Sequence, residues 1–334
     1  MTSPATDPVP ACYRHGACPS ITVRARSDGR GALFSYRDAM DAGERRIERS
    51  AIGALVPAVM LLPISIAALA VFWWPLHLVS DLPFGTFVVG YLAGAVLLFV
   101  KPVQVAVLVR LLGARRPTRD ERVRLDTAWR SVLQAAHLPD RRYVLVVLPA
   151  DELNAFACGG HLVVVTTLAV ETLPRDELAG VLAHELSHHL GFHTFALTVA
   201  QWLSVPVLVL ARIGFFLQSV ATAATSSYAS HSSALTAVGR LISAFLTGVS
   251  WVFLSGLLLA NAVGNVSGRS SEFQADERAV DLGFGSELSN ALRRTLAMGS
   301  GERPRTWRER LAATHPPART RVARIDAMRR TVRS

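Results

Sequence analysis

The chain has 334 residues, of which 51% are hydrophobic and only 18% charged, and its mean hydropathy is +0.32. Soluble chains of this length carry about 25% charged residues, so the deficit excludes a disordered or ordinary cytosolic protein and points to a membrane. The formal charge is +10 and Lys101 is the one lysine; arginine surplus without a recognised nucleic-acid module reads as surface facing anionic lipid, with no nucleic-acid partner.

In chain order, residues 1–49 form a polar, Arg-rich tail, partly disordered, with no secretory signal peptide. Within it Cys12, His15 and Cys18 offer three metal-type ligands, but in a Pro-rich setting that reads as disorder. Three cysteines in all, the third being Cys158, argue against a disulfide framework and for a reducing compartment. Cys158 itself reads as a small core or cleft residue.

Four apolar stretches follow: Ser50–Ser80, Leu82–Val100, Thr194–Gln218 around Arg212, and Leu241–Ser267. Each reaches or approaches the roughly 20 residues that a bilayer-crossing helix needs. Trp73 and Trp74 suit an interfacial aromatic belt. Basic residues set the orientation: eight precede residue 50, eleven lie from Lys101 to Arg175 and fourteen follow Ser267. Both termini and the central polar region are therefore expected in the cytoplasm, with the Ser/Ala/Thr-rich Ala221–Ala237 as an outer loop. The expected parts are the tail 1–49, two membrane helices in 50–110, a domain's first half in 111–192, a membrane hairpin in 193–267 and the second half in 268–334.

Between the membrane segments, Arg119–Ala136 reads as a charged helix and Tyr143–Leu148 as a β-branched strand. Asn154–Cys158 and His161–Thr167 read as a hairpin turning at Gly159-Gly160. From Leu173 the pattern is helical, with Thr172 as a cap, Asp176 and Glu177 in the first turn and Leu178, Val181, Leu182 and Leu186 as the apolar stripe. That helix carries His184-Glu185-Leu186-Ser187-His188. The i,i+4 spacing puts both imidazoles on one face, where they can hold a zinc ion, and Glu185 can reach the metal-bound water as general base.

A third ligand is needed. A metzincin would place a histidine at position 194, but Thr194 stands there; His193 comes one step early, about 100° round the helix. His193 and His189 therefore read as interfacial or surface histidines. Glu272 is the better ligand, with Asp276 one turn on to accept a hydrogen bond from a ligand imidazole. An even number of crossings must separate Glu272 from His184, and the hairpin supplies two.

This combination resembles the HtpX-type membrane zinc endopeptidases, a wider family that includes the CAAX prenyl proteases. Further matches are Asn154-Ala155-Phe156-Ala157-Cys158-Gly159-Gly160, Asp176-Glu177-Leu178 and Thr314-His315-Pro316-Pro317 followed by Arg319 and Arg321, so the resemblance covers about Val123–Arg324. It implies an α+β, mostly α fold: a four-helix integral membrane region with a gluzincin-like metallopeptidase domain. It implies one Zn2+ on His184, His188 and Glu272, with Asp276 orienting a ligand histidine. It also implies Asn154, Ala155 and Phe156 as a substrate-pairing edge strand, His315 as an oxyanion donor and either Arg319 or Arg321 lining the cleft. The expected activity is cleavage of misfolded or damaged membrane proteins, or of unfolded polypeptide, at the cytoplasmic face of a bacterial plasma (inner) membrane. A membrane sensor cleaving one regulator and a non-catalytic zinc-bound scaffold are the alternatives; the outer loops are short for the first, and the second has no need of Glu185.

Overall fold

The computed structural model describes residues 49–228, 233–298 and 316–333. Cys12, His15, Cys18 and His315 lie outside the described residues. Helix α1 spans Arg49–His77, and the Trp73 indole N–H donates to the Leu82 carbonyl at 2.8 Å, closing the turn into α2, Phe84–Leu97. The second apolar stretch, Leu82–Val100, was expected to cross as one helix. Instead α2 stops after 14 residues, and α3, Lys101–Leu112, starts again with Pro102 in its first turn at 89° to it. Among the described residues three helices are long and apolar enough to cross a bilayer, and a fourth only if α2 and α3 count as one.

Helix α4, Arg119–Ala135, begins at a reciprocal cap between Thr118 and Glu121 and buries Leu125, Trp129, Val132 and Leu133. Three strands follow: β1 Val144–Leu148, β2 Ala155–Cys158 and β3 Leu162–Thr166. The sheet order is β1-β3-β2, with β3 parallel to β1 and antiparallel to β2, so β2 is an edge. The expected turn is there, with Gly159 at φ +61°, where a side chain would be strained. β3 is buried throughout because helices cover it on one side and α3 on the other.

Short α5, Thr167–Thr172, precedes α6, Arg175–Leu190. Thr172 does not cap α6 as expected. Its hydroxyl bonds back to Leu168 within α5, and Pro174 stands at the N-cap. Helix α7, His193–Tyr228, and α8, Ser233–Asp281, form the hairpin, followed by α9, Gly285–Ala297, and α10, Ala318–Arg333. Two boundaries differ from expectation. Most of Ala221–Ala237 is helical rather than loop, and α8 runs unbroken from the apolar stretch through Asp281.

Leu61, Leu203, Val207, Leu257 and Ala260 join α1, α7 and α8 in an apolar cluster. Pro206 has no N–H, which leaves the Trp202 carbonyl without its helical partner. The Tyr91 hydroxyl donates to that carbonyl, and the Trp202 indole N–H returns a bond to the Tyr91 carbonyl at 3.1 Å. A polar group freed inside an apolar layer is thus satisfied by a neighbouring helix.

On α6, Gly180 meets the start of α9. A Cβ there would lie 2.4 Å from the Leu288 nitrogen and 2.6 Å from the Glu287 carbonyl carbon. Gly180→Ala is expected to destabilise by about 1–2 kcal/mol, because overpacking against backbone exceeds the helix-propensity gain. Thermal unfolding in detergent measures it as a lowered midpoint.

Candidate metal centre

The α6 helix buries His184 and Glu185 while leaving His188 half-buried, because the helix lies under β2 and against α8. One turn separates the two imidazoles, and their Nε2 atoms lie 3.3 Å apart. From α8, Glu272 brings one carboxylate oxygen 3.3 Å from His188 Nε2 and the other 3.5 Å from His184 Nε2. Four ligands at about 2.0–2.1 Å from a tetrahedral ion lie roughly 3.3–3.4 Å from one another. The two imidazole nitrogens stand at such an edge, each has a different Glu272 oxygen 3.3–3.5 Å away, and the donor types suit a borderline-soft divalent cation. The donor set therefore fits a metal.

Asp276, fully buried one turn beyond Glu272, lies 3.0 Å from His184 Nδ1. An imidazole held at Nδ1 by a carboxylate presents Nε2 to a metal in one orientation. Arg321 on α10 completes the group: Nε and Nη2 donate to the two Asp276 oxygens at 2.9 and 2.7 Å, and Nη1 lies 3.3 Å from Glu272. Of the two arginines left open by the sequence, Arg321 is buried here and Arg319 is exposed. The signal was in α10 itself, where buried Ala318, Val322 and Ile325 mark the inward face and Arg321 falls beside Val322.

Burial and the Arg321 guanidinium both push the His184 pKa down, but hydrogen bonds to Asp276 and Glu272 outweigh them and carry it from 6.5 up to about 9. A metal must displace that proton. Zn2+ affinity of the chelator-stripped protein is expected to rise about tenfold per pH unit between pH 7 and 9 and to level off above. Competition titration against a chromophoric chelator across that range reads the slope.

Glu185 points the other way, towards the edge strand, and accepts a hydrogen bond from the Ala157 N–H at 2.8 Å. Asn154 pairs with β3, its carbonyl accepting from the Thr166 N–H. Alternation along the strand then aims the backbone groups of Ala155 and Ala157 at the open edge and those of Asn154 and Phe156 at β3. Among the expected trio, Ala155 alone faces the edge with its main chain, and Ala157 was missed. Its parity with Ala155 was the available signal.

His189 and His193 are corrections: neither is interfacial or at the surface, each being 2% exposed. His189 bridges the Leu162 carbonyl at 3.0 Å and the Thr194 hydroxyl at 3.2 Å, tying α6 to β3 and α7. The His193 ring lies 5.7 Å from that of His188, outside the three-donor group. Cys158 is half-buried at the end of β2, and burial pushes its thiol up, as for an inert packing residue.

Comparison with known proteins agrees with this geometry. The profile of Peptidase family M48 matches residues 119–329, from α4 into α10. A Protease HtpX homolog of Salinibacter ruber is 26% identical over 247 residues, covering 67% of this chain and 80% of the relative. Another, of Acidiphilium cryptum, is 30% identical over 217 residues, covering 58% and 69%. The crystal structure of S. mikatae Ste24p aligns with a TM-score of 0.46 at 17% identity, over 80% of this chain and 62% of that one. With a two-histidine, one-glutamate cluster lying inside the matched span and apolar helices on either side of its zinc-type motif, the chain belongs to peptidase family M48 and is a membrane metalloprotease.

Proposed function

We propose that this chain is a zinc endopeptidase that hydrolyses peptide bonds of misfolded or damaged membrane proteins at the cytoplasmic face of a bacterial plasma membrane. One observation carries the reaction: His184, His188 and Glu272 converge in one cluster, and Glu185, next to His184 on the same helix, bonds to a strand whose other edge is open. His184, His188 and Glu272 would hold the ion, which supplies Lewis-acid polarisation of the scissile carbonyl. An extended substrate would pair with the outward backbone groups of Ala155 and the Ala157 carbonyl, a mode with little side-chain preference that suits unfolded polypeptide. Glu185 would accept a proton from the attacking water and deliver it to the leaving amine. Asp276 and Arg321 would keep His184 and Glu272 in place. The cytoplasmic assignment is supported by the 33 of 35 basic residues that lie in the two termini and the central region.

The test uses the full chain purified in detergent with an unfolded protein as substrate. Cleavage should cease on chelation and return with stoichiometric Zn2+. Persistence of cleavage after complete metal removal would sink the reading. For orientation, a Ser226→Cys variant in intact cells should react with a membrane-impermeant maleimide, and protection would reverse the topology.

A further inference from the structure

Helix α3 is apolar on both sides. Its inner side, Val105, Leu108, Val109 and Leu112, packs on Val146, Leu162 and Val164 of the sheet. Its outer side presents Val107 and Leu111, 43% and 78% exposed and one turn apart. A helix that is apolar all round belongs in a core or in lipid. Twelve residues reach only about 18 Å, well short of the roughly 30 Å of hydrocarbon, so α3 cannot cross by itself.

Two observations identify what covers the outer side. α3 follows α2 after three residues, and α2 is bound to the membrane-length helix α7 by the Tyr91–Trp202 pair, with Phe99 of the turn stacked on Phe195. The 89° turn therefore falls where the apolar column ends. The same edge carries the exposed cations Arg110 and Arg116, which complement anionic headgroups.

We infer that α3 lies in the plane of the bilayer surface, Val107 and Leu111 among the acyl chains and Arg110 and Arg116 at anionic lipid headgroups. Its Gln104 side chain, fully buried, donates to the Leu98 carbonyl at 2.8 Å and accepts from the Gly160 N–H at 3.1 Å. It thereby pins the β2–β3 turn to the α2–α3 bend. Ala157, bonded to Glu185, is three residues before Gly160, so at most about 10 Å from it. On the peptidase reading above, the polypeptide presented to the edge strand is the extended segment that has just left the bilayer. The substrate class is then the juxtamembrane stretch of a membrane-anchored protein, cut within a few residues of the surface.

The test places spin labels at Val107→Cys and Leu111→Cys, with Arg130→Cys on α4 as an aqueous control, in full-length protein carrying Cys12→Ser, Cys18→Ser and Cys158→Ala. In phosphatidylethanolamine–phosphatidylglycerol vesicles, the first two labels should collide with oxygen and escape a water-soluble nickel chelate, and the control should do the reverse. Nickel access at 107 and 111 equal to that at 130 overturns the proposal. Shielding from both reagents, as by a second copy of the chain, overturns it too. A functional arm uses the native background with Val107→Glu/Leu111→Glu and, separately, Arg110→Glu/Arg116→Glu, with unchanged zinc content showing that each has folded. Both should cut a membrane-anchored substrate at least tenfold more slowly and a free peptide of the same sequence at the wild-type rate. Equal loss on both substrates refutes the substrate class. If wild type cuts neither, the peptidase reading fails while the labels still locate α3.

Discussion

Glu185→Gln is expected to lower the rate of peptide hydrolysis by about 10²–10⁴-fold, the usual contribution of a positioned general base, with zinc content unchanged. The amide keeps the volume of the carboxylate and an oxygen for the Ala157 N–H, so the edge strand stays where it is. What it loses is the lone pair that takes a proton from water. Glu185 is not one of the three donor residues, which is why metal and turnover should separate. Metal analysis alongside a kcat measurement on an unfolded substrate checks this. Loss of zinc together with activity would show that Glu185 is structural, and full activity would remove it from the chemistry.

Arg321→Leu is expected to cost about 3–5 kcal/mol of stability in the metal-free protein, the range for stripping one partner from a buried ion pair. Arg321 is the cation that meets both buried carboxylates, gripping Asp276 with two hydrogen bonds and reaching Glu272. Without it Asp276 loses both hydrogen bonds of the fork, and Glu272 loses the guanidinium beside its carboxylate. Zinc restores positive charge at Glu272 but does not replace the fork on Asp276, so the loaded variant should recover only part of the loss. Zinc affinity itself should weaken about 10–100-fold, as when a ligand's supporting contact is removed. Arg321→Lys keeps the charge and loses the paired geometry, and it should fall between the two. Thermal unfolding with and without zinc, together with a zinc titration, reads both effects; a variant equal to wild type in each would mean that Asp276 holds His184 unaided.

The cluster was largely legible in the sequence because its logic is local. An i,i+4 pair of histidines fixes a helix face, and Glu272 with Asp276 repeats that spacing on a helix that the α7–α8 hairpin brings back to the histidines. His189 and His193 were misjudged because spacing tells which face turns away from the metal, not what packs against that other face. Here β3 and α7 cover it. The bend after Leu97 was invisible to apolarity, which runs unchanged from Leu82 to Val100, although Pro102 marked a new helix start. Ala221–Ala237 read as loop from its serines and threonines. In the structure Thr222, Thr225 and Ser226 turn their hydroxyls back onto carbonyls of the preceding helical turn, and bonds of that kind let such residues stay helical in an apolar setting. Gly239 then admits Thr225 so closely that a Cβ would lie 2.0 Å from its hydroxyl.

Helix α8 is one uninterrupted rod of 49 residues, about 73 Å long, with lipid-type residues such as Phe245 and Val252 towards one end and Glu272 and Asp276 towards the other. The donor cluster is thus tied to the apolar hairpin: removing the hairpin with its rod takes Glu272 away from His184 and His188. Glu272 and the two histidines that it meets stand on different helices, so the geometry of the donor cluster depends on how the hairpin is seated against α6.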